Sequence, residues 1–448
     1  MRFFTLLLAT LPAALAAPSL QPRQANEVVP DRWIVQVRGT SDIERVLAAA
    51  TDLLRLAQPL EAVLQYDINQ DYKGFVVEAN ESLIRVLATL PDVLAYEPDV
   101  WMTGADGVPA EDSWKRQAAS AEWAAEPTGT WGTHSSQSPA DLSSGEGDFQ
   151  AAAQQNVFTQ SGAEWHLARL SNRPPGSTDY SFHASAGQGS VVYIMDSGIE
   201  IRQPDFGGRA FHGANFVPGE PIWDEFGHGT HVAGTIMSGQ FGVAKLAEAV
   251  NIKVLNRNNQ GQLSWFLAGI DWAYRDMFRT GLRGLSVLNL SLDAGGPSNA
   301  QFNAAVNAAG KDGLIIVAAA GNDNIDARQI SPANAEEVCT VGGTNINDER
   351  FLLQGGGSNF GPALNVFAPG ENITSYLHTG PGVAVPWTGT SFAAPAVSGL
   401  AAYFAVLVNG QFDSRRMCNF IMELATPGIV GRPGAGSPNL MAYNGIFG

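Results

Sequence analysis

Apolar positions along the chain fall into two regimes. From about residue 158 onward, short apolar runs recur: Val191 to Met195, Ile252 to Leu255, Val287 to Leu292, Leu314 to Ala318, Val338 to Val341 and Asn365 to Phe367. Runs of this length predict strands buried on both faces. Between them Leu263, Phe266, Leu267, Ile270, Tyr274 and Met277 fall on one helical face, and Asn303 to Gly310 predicts a second helix. Such alternation predicts an α/β fold with a mostly parallel sheet between helices, and places ligand chemistry outside the carboxyl ends of the strands. Ser391 to Val408 carries no charge. Ser391, Pro395, Ser398 and Gly399 interrupt it, so it predicts a central helix buried all round and not a membrane span. Pro395 is expected in that helix's first turn, where a missing N–H costs nothing.

The front of the chain reads differently. Residues 26–102 predict a small α+β unit: strands at Trp33 to Val37, Ala62 to Tyr66, Gly74 to Glu78 and Val93 to Tyr96, and helices from a Ser41–Glu44 capping box and from Ser82 to Leu90, capped by Asn80. The order βαββαβ suggests a ferredoxin-like sandwich. Residues 103–157 are rich in Ser, Gly, Ala, Pro and acids and predict a linker. Lys115-Arg116 within it is either a dibasic cut site or two solvated charges. Arg2, the apolar run Phe3 to Leu15 and the small residues Ala14 and Ala16 predict a signal peptide over residues 1–16. Secretion to the extracellular medium is the expectation, with a vacuole as the alternative.

Composition narrows the function. The 448 residues are 45% apolar and 15% charged, which suits a large folded core. A formal net charge of −17, concentrated in the front third, excludes the basic surface that nucleic acid binding needs. There are two cysteines, Cys339 and Cys418, so an oxidising compartment permits one disulfide.

Three segments carry candidate chemistry. Asp196 follows a buried strand, His228 opens a small-residue helix in Gly227-His228-Gly229-Thr230-His231, and Ser391 opens the apolar helix in Gly389-Thr390-Ser391-Phe392-Ala393. A serine attacks carbonyls only if a base takes its proton, and the base needs a carboxylate to fix its tautomer. Asn322, just past a buried strand, offers an amide to a developing oxyanion. Singly, each residue has a plainer reading: an Asp after a strand is usually a turn residue, a Ser at a helix start usually an N-cap. His228 and His231 could also form a metal pair with Asp224 or Glu225.

In the order Asp, His, Asn, Ser, these segments resemble the subtilisin superfamily of serine peptidases, and most closely the secreted fungal proteinase K group. The likeness spans about residues 158–448 and includes Trp165-His166-Leu167-Ala168-Arg169, Asn289-Leu290-Ser291-Leu292 and Leu440-Met441-Ala442-Tyr443-Asn444. Residues 17–102 resemble the family's inhibitory propeptide, an intramolecular chaperone. The resemblance implies a monomeric serine endopeptidase that acts on proteins and peptides through an acyl-enzyme. Asp196 would orient the base, His228 would be base and then acid, Ser391 the nucleophile, and Asn322 with the Ser391 N–H the oxyanion hole; His231 would be non-catalytic. An extended substrate would pair with Gly261, Gln262, Leu263 and Ser264 on one side and with Ser291, Leu292, Asp293, Ala294 and Gly295 on the other. Ala319, Ala320 and Gly321 would wall a pocket for an apolar residue before the scissile bond.

The resemblance also implies a Cys339–Cys418 disulfide and no required cofactor. A family calcium site would fall on Glu336, Val338 and Asn365, but a neutral Asn weakens a hard-cation site. Phe392 stands where the family has methionine, and Asp293-Ala294 where it has glycines. Self-cleavage is expected between about Gly145 and Phe158, with or without an earlier cut after Arg116. Of the sequons at Asn80, Asn289 and Asn372, Asn372 is the best glycosylation candidate. Two rivals compete with the protease: a binding protein on the same fold, motivated by Asp293 and Phe392, and a zinc hydrolase using His228 and His231.

Overall fold

The computed structural model describes residues 26–104, 108–109, 156–293 and 298–446. The expected signal peptide, Lys115-Arg116, Ala294, Gly295 and most of the expected linker lie outside them.

The front unit runs β1 (Val28–Val37), α1 (Ile43–Leu54), β2 (Ala62–Ile68), β3 (Tyr72–Glu78), α2 (Glu81–Leu87) and β4 (Val93–Gly104). β1 pairs antiparallel with β3 and β4, and β2 with β3. Two local expectations are corrected. The cap of α1 is Asp42, whose carboxylate accepts from the Arg45 N–H at 3.3 Å, because the Ser41 hydroxyl donates instead to Asp92 at 2.7 Å. β4 does not stop at Tyr96 but continues to Gly104, so Thr103 and Gly104 are strand and not linker.

β6 (Val157–Ser161) and β7 (Asp179–His183) pair around α3 (Trp165–Ser171). The main sheet is built from β8 (Val191–Asp196), β9 (Ala210–Asn215), β10 (Glu248–Lys253), β12 (Ser286–Leu290), β14 (Ile315–Ala319), β15 (Val338–Thr344), β18 (Val366–Pro369), β21 (Thr426–Pro427) and β22 (Leu440–Met441). Its order is β21-β22-β18-β15-β14-β12-β8-β10-β9, parallel except where β21 meets β22. From β8 the chain goes to the edge strand β9, returns to β10 beside β8, and then crosses to β12, β14, β15 and β18 on the other side. Ligand sites in open α/β sheets gather at the carboxyl end of such a switch point, and Asp196 is there.

Helices cover both faces. α4 (His228–Met237), α7 (Thr390–Leu407) and α8 (Ser414–Leu424) share one core cluster with Val192, Ile194, Val317 and Val341. α5 (Leu263–Thr280) and α6 (Ala300–Lys311) share a second with Val191, Tyr193, Met195 and Leu288. Every residue of α7 is buried; this is the charge-free helix of the sequence, a core helix as expected. The front sheet continues the second cluster. Ile34, Tyr66, Ile68, Tyr72 and Val76 pack on the α5/α6 side, while Val35, Val37, Phe75 and Val77 face α1 and α2, as strand alternation requires.

Seven short strands complete the fold. β16 (Leu352–Leu353) pairs with β17 (Gly356–Gly357), and β19 (Ile373–Tyr376) pairs with β20 (Ala384–Thr388). Two single strands, β11 (Gln260–Gln262) and β13 (Leu292–Asp293), pair with β4, and β5 (Val108–Pro109) lies against β20.

Candidate active site

Asp196 ends β8. Alternation sends Val192 and Ile194 toward α4 and α7, and Asp196 follows them. His228 is the first residue of α4, and its Nδ1 lies 2.9 Å from both carboxylate oxygens of Asp196. The two side chains are 1% and 0% exposed. Donation of Nδ1–H to that carboxylate leaves Nε2 as the basic nitrogen. Gly229 permits the approach of helix to strand end: a Cβ there would stand 2.1 Å from the Gly198 carbonyl oxygen.

Ser391 is the second residue of α7 and is fully buried. The ring of Phe392, the next residue, is centred 5.3 Å from that of His228, so the first turns of α4 and α7 meet. Pro395 is the sixth residue of α7, not part of its first turn. Its missing N–H is the one that would bond the Ser391 carbonyl. Ser291 Oγ donates there instead at 2.8 Å, and Asn289 Nδ2 holds that hydroxyl at 2.9 Å. Asn289 is buried, its Oδ1 taken by Ser398 Oγ at 2.8 Å, whereas Asn372 is exposed.

Asn322 lies three residues past β14. Its Oδ1 accepts from the Thr390 N–H at 2.8 Å and from Thr390 Oγ at 3.1 Å. Two donors on one oxygen fix the orientation of the amide and turn Nδ2 away. Nδ2 is buried and has no hydrogen-bond partner among the described residues. An unpaired buried donor costs about 1–3 kcal/mol, a cost that a hydrogen-bond acceptor placed there would remove. Ala319, Ala320 and Gly321 are buried, and the Gly321 N–H donates to Thr390 Oγ at 3.1 Å. They therefore sit beside the residue that precedes Ser391.

The two edge segments differ in part from expectation. Gly261 and Gln262 are in β11, but Leu263 and Ser264 begin α5. Between β11 and β13 lies the end of β4. Gly261 pairs with Met102 and Gln262 with Trp101, while Leu292 pairs with Gly104 and Asp293 with Thr103. A Cβ on Gly261 would meet the Val254 carbonyl at 2.2 Å, which keeps that edge flat. The chain re-emerges at β5, where Val108 pairs with Thr388, three residues before Ser391.

His231 donates Nε2–H to the Val385 carbonyl at 3.1 Å and stacks on Trp387 with ring centres 5.2 Å apart. Burial pushes its pKa down to about 3, against the Val385 bond, which raises it. It is a neutral packing residue. The two histidines thus turn to separate partners, and among the described residues no three His, Cys, Asp or Glu side chains converge as a metal site. The expected calcium ligands fit poorly. Asn365 Oδ1 accepts from the Thr340 N–H at 2.8 Å and its Nδ2 faces the Met422 sulfur, so its oxygen is already engaged. Cys339 and Cys418 are joined as a disulfide.

The sequence reading missed Ser197, which follows Asp196, and gave Asp224 only as a metal neighbour. Asp224 Oδ1 accepts from Ser197 Oγ at 2.9 Å. Asp224 stands four residues before His228, outside the N-cap position that Gly227 holds, so no local capping signal marks it.

Known proteins bear on this geometry. Residues 187–437 match the Subtilase family, Peptidase_S8. An alkaline proteinase of Hapsidospora chrysogena is 35% identical over 99% of this chain and 98% of its own length. Subtilisin-like protease 10 of Arthroderma benhamiae is 43% identical over 67% of this chain and 56% of its own. The crystal structure of a cold adapted subtilisin-like serine proteinase superposes with a TM-score of 0.58 at 34% identity, covering 63% of this chain and 99% of that one. The chain therefore has the subtilisin-like fold and belongs to the subtilase family of serine endopeptidases, whose substrates are proteins.

Proposed function

We propose that the chain is the precursor of a secreted, monomeric serine endopeptidase. Ser391 is the nucleophile, His228 the base and then the acid, Asp196 the carboxylate that orients it, and Asn322 Nδ2 with the Ser391 N–H the oxyanion donors. Ser391 Oγ adds to the substrate carbonyl carbon while its proton passes to His228 Nε2. The C–N bond then breaks as His228 returns that proton to the leaving amine, and water releases the acyl group by the same route. Desolvated donors aimed at the oxyanion act without reorganisation, which the bound, buried amide of Asn322 suits. No cofactor enters these steps.

The observation that carries this reading is β4 itself. An extended piece of the protein's own chain lies paired on both edges in the slot between β11 and β13 and returns beside Thr388. A peptide substrate bound by strand addition would use the same edges. The small walls Ala319, Ala320 and Gly321 suit apolar residues before the scissile bond. The front unit is then the inhibitor and folding template of the peptidase, and the first self-cleavage falls between Gly104 and Val108. Trimming of the rest up to about residues 145–158 follows. Asn372 is the glycan site.

The test is direct. Wild-type protein hydrolyses casein and loses that activity to a serine-directed sulfonyl fluoride but keeps it in a chelator. Ser391→Ala abolishes hydrolysis and accumulates uncut precursor in a host lacking other proteases. Normal maturation of that variant there, or loss of activity to the chelator alone, contradicts the proposal.

A further inference from the structure

We propose that Asp224 and Ser197 are positioning residues for His228: together they cap α4 and fasten its first residue to the end of β8. This rests on the roles of Asp196, His228 and Ser391 given above. α4 begins after Gly227, which has no side chain to cap it, so the N–H groups of its first turn need partners from elsewhere. Ser197 Oγ accepts from the Gly229 N–H at 3.0 Å. Asp224 Oδ2 accepts from the Thr230 N–H at 3.0 Å and from Thr230 Oγ at 2.6 Å. Asp224 Oδ1 accepts from the Phe226 and Gly227 N–H groups at 3.0 and 2.8 Å and from Ser197 Oγ at 2.9 Å. One carboxylate, 2% exposed, thus collects five donors.

The other end of the clamp is the strand. The Ser197 N–H donates to Asp196 Oδ1 at 2.7 Å, and buried Lys253 Nζ donates to the Ser197 carbonyl at 2.6 Å. Ser197 therefore touches Asp196 through its backbone and the start of the His228 helix through its hydroxyl. The 2.9 Å contact between Asp196 and His228 is set by this bridge, since both residues are carried by elements it joins.

Asp224 also adds a second anion beside the base. The charged and titratable groups around the first turn of α4 are Asp196 on β8, Lys253 on β10 with Glu220 at 3.5 Å, the Glu200–Arg202 pair behind Thr230, His378 after β19, and His231 within α4. Burial would raise the Asp224 pKa, but His378 and the bonds from Thr230 and Gly227 outweigh it and hold the carboxyl below its ordinary value. Asp224 is therefore held in its charged form, and a fixed negative charge beside the first turn of α4 favours positive charge developing there.

The experiment compares wild type, Asp224→Asn and Ser197→Ala. Each is matured by bead-immobilised wild-type enzyme, titrated for active sites with a sulfonyl fluoride, and assayed on a chromogenic peptide. Misplacement of a base by a fraction of an ångström costs about 10- to 100-fold in rate. Asp224→Asn is expected to lower kcat by about that factor with KM within about threefold, and to move the acid limb of the kcat/KM profile to lower pH. Ser197→Ala removes the bridge and keeps both charges, so kcat falls and the acid limb stays. The proposal is overturned if kcat per titrated site stays within about twofold of wild type, if the loss lies in KM, or if the Asp224→Asn limb does not move. If Asp224→Asn does not fold, Ser197→Ala, which deletes one hydroxyl, decides by its kcat. Failure of the sulfonyl fluoride to label wild type sinks the roles of the three catalytic residues; normal labelling with unchanged variant rates sinks only the clamp.

Discussion

Asn322 shows how neighbours fix the orientation of one side chain. Free in solution its amide would turn either way. Here the backbone and hydroxyl of Thr390 claim its oxygen, and the nitrogen is left buried and aimed. Asn322→Ala is expected to lower kcat about 100-fold with little change in KM, because the lost bond forms only as the oxyanion develops; steady-state kinetics per titrated site check this. A change confined to KM would place Asn322 in ground-state binding instead. This residue was legible from its place after a strand. Ser197 and Asp224 were not, because their importance lies in which backbone N–H groups they meet, and a sequence does not show which termini converge.

α7 carries a tension between its own residues. Proline in its second turn removes the donor for the Ser391 carbonyl, and Ser291 replaces it from β13's approach. Ser291→Ala is expected to cost about 1–2 kcal/mol, since a buried carbonyl loses its partner. Pro395→Ala in the same chain should recover part of that, by restoring the helical N–H. Thermal unfolding of inactive Ser391→Ala precursors carrying the single and double changes gives the coupling; strict additivity would count against the compensation. Helix existence and the apolar faces were readable from period alone, while ends were not. α1 begins at Asp42's cap because Ser41 is drawn away by Asp92, and β4 runs on to Gly104 because two edges from distant parts of the chain await it.

Two features belong to the whole molecule. The disulfide closes a loop of 79 residues, which by loop-closure entropy stabilises the fold by about 4 kcal/mol. Cys418→Ser in the inactive precursor is expected to lower the unfolding midpoint by a large fraction of that. The front unit docks with carboxylates against helix starts: Asp99 accepts from the Ser264 N–H of α5 at 3.0 Å, and Glu97 from Asn299, the cap of α6, at 2.9 Å. Burial raises both pKa values. For Glu97 the Asn299 bond opposes this and the Asp99 charge adds to it; for Asp99 the Ser264 bonds and Arg32 oppose it. The docked state thus holds these protons more tightly than the free unit, so docking is strongest in acid and weakens as pH rises through the raised values. In the self-cut but still associated complex, release of the front unit is expected to speed up from acid to neutral pH, and Glu97→Gln to flatten that dependence. A release rate that falls with rising pH would contradict it.

Alternating strands and helices, the all-round burial of α7 and the residue types able to relay a proton could be read from the order of residues, because these depend on local period and on the chemistry each side chain carries. The packed fold alone placed β8 where the sheet's connections diverge, laid β4 between β11 and β13, and brought Ser197, Asp224, Ser291 and Thr390 into hydrogen bonds around Asp196, the start of α4, Ser391 and Asn322. Those are contacts between residues far apart in the chain, and only the packed fold sets their distances.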